Sequence, residues 1–422
     1  MSLSPTTRSS TTGAVERTST RYVVGVSTAA FGIYFALFTP VMVAMAFKIQ
    51  RIDPENAVAS LGLVLGAGAA FALFANPLFG RLSDRSTARW GKRRPFVLGG
   101  TLVGAAALVL IGFTTSVPVV LAGWCLAQAG LNAALSAVVA TLHDQVEPAG
   151  RGKVSGLIGV GTPLSILAGS VVANATASDV LRFTIPAAVA AVLAVAFCLV
   201  LEDKVRTVPP TEKFGAKEFF GSFVFNPRHN PDFGWTWLTK FLVMFGYAGI
   251  ATYLPYYLTS DFGLVEQEAT GVILTANLVS TVAMVVSSPL GGLLSDRIGR
   301  RKPFVTAAGL VMVAGLLLLA LAPSIPVLVV AQGIIGLGAG AFLSVDQALA
   351  TQVLPNPEDA AKDLGVLNMA NALPQSVAPA MAPAIIGLGS AAGIGGYTTW
   401  YLFGALVALS GAILVYRIKG VR

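Results

Sequence analysis

Apolar residues run along this chain in long unbroken stretches, broken only by short polar or basic segments, without the strict alternation of a half-buried strand. A helix needs about 20 mainly apolar residues to cross the hydrocarbon of a bilayer. On that scale twelve such stretches occur, at residues 22–47, 58–82, 95–114, 118–142, 154–175, 180–201, 235–259, 269–294, 303–322, 326–353, 364–389 and 394–416. Lipid offers the backbone no hydrogen-bond partner, so each stretch is expected to be helical. The connections Thr114–Pro118 and Ala322–Ile325 are so short that the helices they join must be antiparallel neighbours. The expected fold is an all-α membrane protein of twelve transmembrane helices. It divides into a six-helix half at 22–201, a linker at 202–234 and a second six-helix half at 235–416, with polar tails at 1–21 and 417–422.

Composition supports this. The chain of 422 residues is 55% hydrophobic and 11% charged, against about 25% charged in a typical soluble domain. A formal charge of +8 would suggest a nucleic-acid partner in a soluble protein. Here the basic residues sit between apolar runs, so membrane topology explains them and no nucleic acid is expected. With both termini cytoplasmic, 24 of the 28 Lys and Arg fall in inside segments, while Lys48, Arg51 and Arg182 fall outside and Lys240 lies within the seventh span. The expectation is a multi-pass protein of the cell (inner) membrane. The first 21 residues lack the apolar stretch of a signal peptide and read as a disordered tail, leaving the first span as an uncleaved anchor. In the linker, the segment from Lys217 to Phe225 has the pattern of an amphipathic element lying along the interface. Two cysteines (Cys125, Cys198) and two histidines (His143, His229) give no metal or redox spacing. No cofactor is expected.

The chain repeats itself. Pro77-Leu-Phe-Gly80-Arg-Leu-Ser-Asp84-Arg85 follows the second span and Pro289-Leu-Gly-Gly292-Leu-Leu-Ser-Asp296-Arg297 the eighth. Each continues into a basic turn ending in Pro-Phe: Gly91-Lys-Arg93-Arg94-Pro95-Phe96 and Gly299-Arg300-Arg301-Lys-Pro303-Phe304. The first copy is four residues longer. A weaker echo pairs Gln145-Val-Glu-Pro148 with Gln352-Val-Leu-Pro355. This Gly-x-x-x-Asp-Arg…Gly-basic-basic loop resembles the signature of major facilitator superfamily transporters, and it occurs once in each half. The longer copy, with Arg89-Trp90-Gly91-Lys92-Arg93-Arg94-Pro95, and the stretch Asp144 to Gly152 are similar to the glycoside–pentoside–hexuronide group and its sucrose-transporter relatives. The resemblance implies two pseudo-symmetric halves around a central cavity, alternating access, a sugar substrate and a monomer. Sodium-coupled members of that group carry acidic residues in the second helix. Residues 58–82 contain none, so sodium coupling there is not expected.

Asp346 is the one acidic residue well inside a span. A charge at the bilayer centre costs about 2.5–3.5 kcal/mol even on the lenient insertion scale, so it is usually kept for a purpose. The expectation is ion coupling or substrate binding, with a structural pair to Lys240 as the alternative. Asp144, at the end of the fourth span, is a second coupling candidate or part of a latch. Trp124, Gln128, Asn132 and Ser136, four apart, make one stripe on the fourth span. Gln332 and Gln347 on the tenth, Asn368, Asn371 and Gln375 on the eleventh, and Tyr34, Tyr253 and Tyr256 on the first and seventh complete a set of candidate substrate ligands. Amides suit sugar hydroxyls and aromatic faces suit sugar rings, though such amides can also bond helix to helix. Asp84 and Asp296, beside Arg85 and Arg297, are expected to latch the halves at the cytoplasmic side.

These readings predict proton-driven symport of a small polar solute, with a proton-coupled efflux antiporter as the alternative. No G-x-x-x-x-G-K-[ST] loop occurs, which argues against direct ATP drive. Neither H-E-x-x-H nor a nucleophile–base arrangement occurs, so the chain does not read as an enzyme.

Overall fold

The computed structural model describes residues 19–205, 215, 230–350, 352–353 and 360–420. The amphipathic linker segment lies outside the described residues. Among those described, twelve helices are long and apolar enough to cross a membrane. They are α1 (Thr20–Ile52), α2 (Ala57–Arg85), α3 (Arg94–Phe113), α4 (Val117–Gln145), α5 (Pro148–Ala175) and α6 (Asp179–Val200) in the first half. The second half holds α7 (Pro231–Ser260), α8 (Glu266–Ile298), α9 (Lys302–Ala320), α10 (Ile325–Ala350), α11 (Ala360–Ala391) and α12 (Gly396–Leu414). Most run a turn or so past the apolar stretches, because polar end turns still bond internally while hydropathy marks only the lipid-immersed part.

Proline and glycine set the ends. α3, α4, α5, α7 and α9 carry Pro at one of their first two positions, where a missing N–H leaves no bond unmade. Gly299 closes α8 in the left-handed region, at φ 68°, which suits a residue without Cβ. Inside α1, Pro40 cannot bond back to the preceding turn. The ladder re-forms there as a π turn over Pro40–Ala44, with Met45 N–H bonded to the Pro40 carbonyl.

Packing shows the repeat directly. α1 lies on α5 and α6, α2 on α4, and α3 on α4 and α6. In the second half α7 lies on α11 and α12, α8 on α10, and α9 on α10 and α12. The same five pairs recur six helices later. The halves meet through α2 with α11 and α5 with α8, two contacts that the same relation exchanges. We call the end that carries Thr20, Lys419 and most of the described basic residues the basic end, and the other the distal end.

The α2–α11 crossing is tight near the distal end. A Cβ on Gly62 would lie 2.6 Å from the Pro379 carbonyl oxygen and 2.8 Å from the Tyr253 hydroxyl. That carbonyl has no helical partner, since residue 383 is proline, and Tyr253 donates to it at 3.0 Å. Gly62→Val should cost about 1–3 kcal/mol of overpacking and wedge this crossing apart. With Cys125 and Cys198 replaced, a cysteine at Ser376 should then react faster with an impermeant thiol reagent applied from the distal side.

Candidate functional site

A cavity of about 810 Å³ lies between α1, α2, α4 and α11. It runs from Tyr34 and Gln128 at mid-bundle to Arg81, Asp84 and His143 at the basic end. Its upper wall carries neutral polar groups: Tyr34, Asn76, Gln128, Asn132, Ser136, Asn368 and Gln375. Leu37, Phe38, Val41, Leu73 and Met369 fill between them, and the Tyr34 and Phe38 rings stack at 6.0 Å. Asn132 Nδ2 donates to the Gln128 side-chain and backbone oxygens at 3.0 and 2.9 Å. The Gln128 amide nitrogen and the Asn132 carbonyl oxygen thus have no protein partner among the described residues, leaving one donor and one acceptor for a solute.

Of the predicted ligands, Tyr34, Gln128, Asn132, Asn368 and Gln375 line this cavity; Trp124, Tyr253, Tyr256, Gln332, Gln347 and Asn371 do not. Trp124 is fully buried against Gly68. Tyr253 and Tyr256 act instead as seals between the halves. Besides its bond to Pro379, Tyr253 reaches the Val58 carbonyl at 3.3 Å, and Tyr256 donates to the Ala46 carbonyl at 2.8 Å. Asn76 was missed by sequence reasoning. It is the only amide within the apolar part of α2 and immediately precedes Pro77, which was the available signal.

Asp346 stands away from the cavity. Its carboxylate pairs with Lys240 Nζ at 2.8 Å, and both side chains are 3% exposed. The geometry is thus the pairing entertained as the alternative to a solute-facing acid. Lys240 lies one turn beyond Trp237 on α7, whose indole donates to the Val366 carbonyl of α11 at 2.9 Å.

The ion pairs that Lys92, Arg93 and Arg301 make in the signature loops each lie within one half. Arg93 is buried and bonds Asp84 at 2.5 Å, Asp144 at 2.9 Å and Ser83 at 2.6 Å, all of its own half. Lys92 adds a second bond to Asp144 at 2.7 Å. Asp203 caps the start of α3, accepting from the Arg93 and Arg94 backbone N–H groups at 2.7 and 2.8 Å. Asp144 is thereby held in a charge cluster rather than in the cavity. In the second copy Asp296 pairs with Arg301 at 3.2 Å, near solvent. Arg93 and Arg301 thus hold the acids of the two loops, Asp84 and Asp296, from within the same half.

The distal end is closed instead. Glu266 of α8 pairs with Arg182 of α6, whose side chain is fully buried, and with Arg51 of α1 at 3.2 Å. Asp179 holds Arg51 at 2.7 Å and Lys48 at 3.4 Å. The three basic residues that oppose the charge bias of the chain therefore meet in one network. Between α5 and α8, Asn277 donates to Ser170 at 2.8 Å and Thr270 to Asn174 at 3.2 Å.

Two like six-helix halves, sealed at one end and parted around a polar cavity at the other, define a carrier that exposes one central site to each side in turn. The Major Facilitator Superfamily profile matches residues 22–281 and 236–421. The chain belongs to that family: it is a multi-pass integral membrane protein of a transporter family and not an enzyme. Over 108 residues it is 29% identical to the sucrose transport protein SUC4 of Arabidopsis thaliana, covering 26% of this chain and 20% of that protein. It is 30% identical over 105 residues to the cis,cis-muconate transport protein of Acinetobacter baylyi, covering 24% of each. The chain thus aligns with about a fifth to a quarter of the length of these relatives. A mutant of the nucleoside transporter NupG superposes with a TM-score of 0.75 at 14% identity, over 94% of this chain and 99% of that one. A bacterial homologue of the lysosomal transporter Spinster, inward-facing and unoccupied, gives 0.68 at 17% identity, over 95% and 96%.

Glu266→Gln removes the shared anion of two cations and should weaken the distal seal by about 1–3 kcal/mol. Spin labels at Ala177 and Val265, one per half at this end, should then show a longer-distance population absent from the wild type.

Proposed function

We propose that the protein carries a neutral polyhydroxylated solute, a sugar or glycoside, together with a proton. In this reading it lies in the cell (inner) membrane with both termini cytoplasmic, so the present conformation is inward-open. The observation that carries the reading is the cavity wall: seven neutral donors and acceptors at mid-bundle, with charge confined to the mouth. Sugar hydroxyls both donate and accept, as amides do, and the Tyr34–Phe38 stack offers a face for an apolar ring surface. The sucrose transport relative supports the same solute class.

Coupling is assigned to the Lys240–Asp346 pair. A proton taken up by Asp346 cancels its attraction for Lys240. One turn away, Trp237 ties α7 to α11, the helix that presents Asn368 and Gln375 to the cavity. A change at the pair thus has a short packed route to the solute. Arg81 and His143 at the mouth favour a second reading, a carboxylate solute of the kind named for the Acinetobacter relative.

The test is external pH in lightly buffered cells challenged with sugars, glycosides and muconate. One sugar should alkalinise the medium in wild type. Asp346→Asn alone leaves Lys240 buried without its partner, at a cost of about 3–5 kcal/mol, so lost activity there is ambiguous. Lys240→Met/Asp346→Leu restores an apolar fit, and it should move the sugar down its gradient without alkalinisation. Alkalinisation persisting in that folded double variant would make the pair purely structural. A response to muconate alone would replace the sugar reading.

A further inference from the structure

The contacts of α2 with α11 fix a register that extends beyond the crossing itself. Gly62 lies against Pro379 and Pro383, and Gly66 against Ser376 and Ala380. The two helices therefore run antiparallel, with Gly66 centred on position 378. Ten residues further toward the basic end on both helices, this register sets Asn76 opposite Asn368. At about 100° per residue, Asn76 lies within about 40° of the face that Gly62 presents, and Asn368 within about 20° of that of Pro379. Both residues line the cavity, and neither amide has a protein partner among the described residues.

We propose that Asn76 and Asn368 form a switching amide clamp. When the basic end closes, the two side chains meet across α2 and α11 and bond to each other, making the cavity floor. When it is open, as here, the same amides hydrogen-bond the solute. A carboxamide suits both tasks, because it carries a donor and an acceptor and pairs equally well with another amide or with a hydroxyl. The exchange keeps the number of bonds nearly constant between states, so neither state strands a polar group in a site shielded from water. The solute half of this proposal rests on the sugar reading above; the gating half does not.

Two measurements test it. In a background lacking Cys125 and Cys198, Asn76→Cys/Asn368→Cys is treated in membranes with a short bifunctional maleimide. The cross-link should form, and form several-fold faster when Glu266→Gln loosens the distal seal. Failure to cross-link, while a Gly66→Cys/Ser376→Cys control pair at the observed crossing reacts, would overturn the gate. Separately, Asn76→Ala and Asn368→Ala should each raise KM for sucrose, the probe sugar, about tenfold, the loss expected for one neutral hydrogen bond. An unchanged KM beside a normal cross-link would overturn the solute contact. If wild-type protein takes up no sugar, the sugar reading fails by itself, and the cross-linking result still decides the gate.

Discussion

Hydrocarbon gives the backbone nothing to bond to, and the rest of this structure is arranged around that lack. It forces every span into a helix and makes each interior proline a local problem, whose remedy is visible at Pro40 and Pro383. Pro40 is absorbed by a π turn in α1. Pro383 frees the Pro379 carbonyl, which Tyr253 reaches across from α7. The distal seal is thus built partly from the repair of a broken helical bond. Pro77 poses the same problem within the cavity wall, where it removes the partner of the Leu73 carbonyl beside Asn76.

Charge obeys the same constraint. Lys48, Arg51 and Arg182 would be costly near the membrane alone, and together with Asp179 and Glu266 they compensate one another. Because Glu266 belongs to the second half and its partners to the first, that compensation also joins the halves. At the basic end Arg93 pairs with Asp84 and Asp144 of its own half. The Glu266 pairs thus cross between the halves, whereas those of Arg93 do not.

Much of this was legible in the sequence. Twelve apolar runs fixed the helices, and the duplicated Gly80-to-Phe96 and Gly292-to-Phe304 loops fixed the halves. Five of the seven neutral polar groups on the cavity wall were also legible: the stripe of Gln128 and Asn132 reaches the cavity, because a polar row on one helical face marks a direction. What could not be read was depth and conformation. Tyr253 and Tyr256 have the chemistry of sugar ligands, yet they lie at the sealed end, where their hydroxyls bond backbone carbonyls of α1, α2 and α11. Asp346 and Lys240 are 106 residues apart along the chain, and only the packing of α7 near α10 brings them together. Asn76 was overlooked since a lone amide sets no periodicity.

The cavity is lined by three helices of one half and a single helix of the other. Gly80 meets Ser136 as Gly292 meets Ser344, which sets α4 and α10 in register, and the row Trp124, Gln128, Asn132 and Ser136 then falls on Gln332, Gly336, Gly340 and Ser344. In the same register Asp346 falls on Val138. The two copies thus differ at mid-row: one has the amides Gln128 and Asn132 on the cavity wall, while the other has Gly336 and Gly340 there and carries the buried Asp346. The glycines do for α10 what size forbids in α4: at Gly336 and Gly340 the backbone of α8 comes so near that a single added carbon would collide with it, so the second half is clasped where the first is left open.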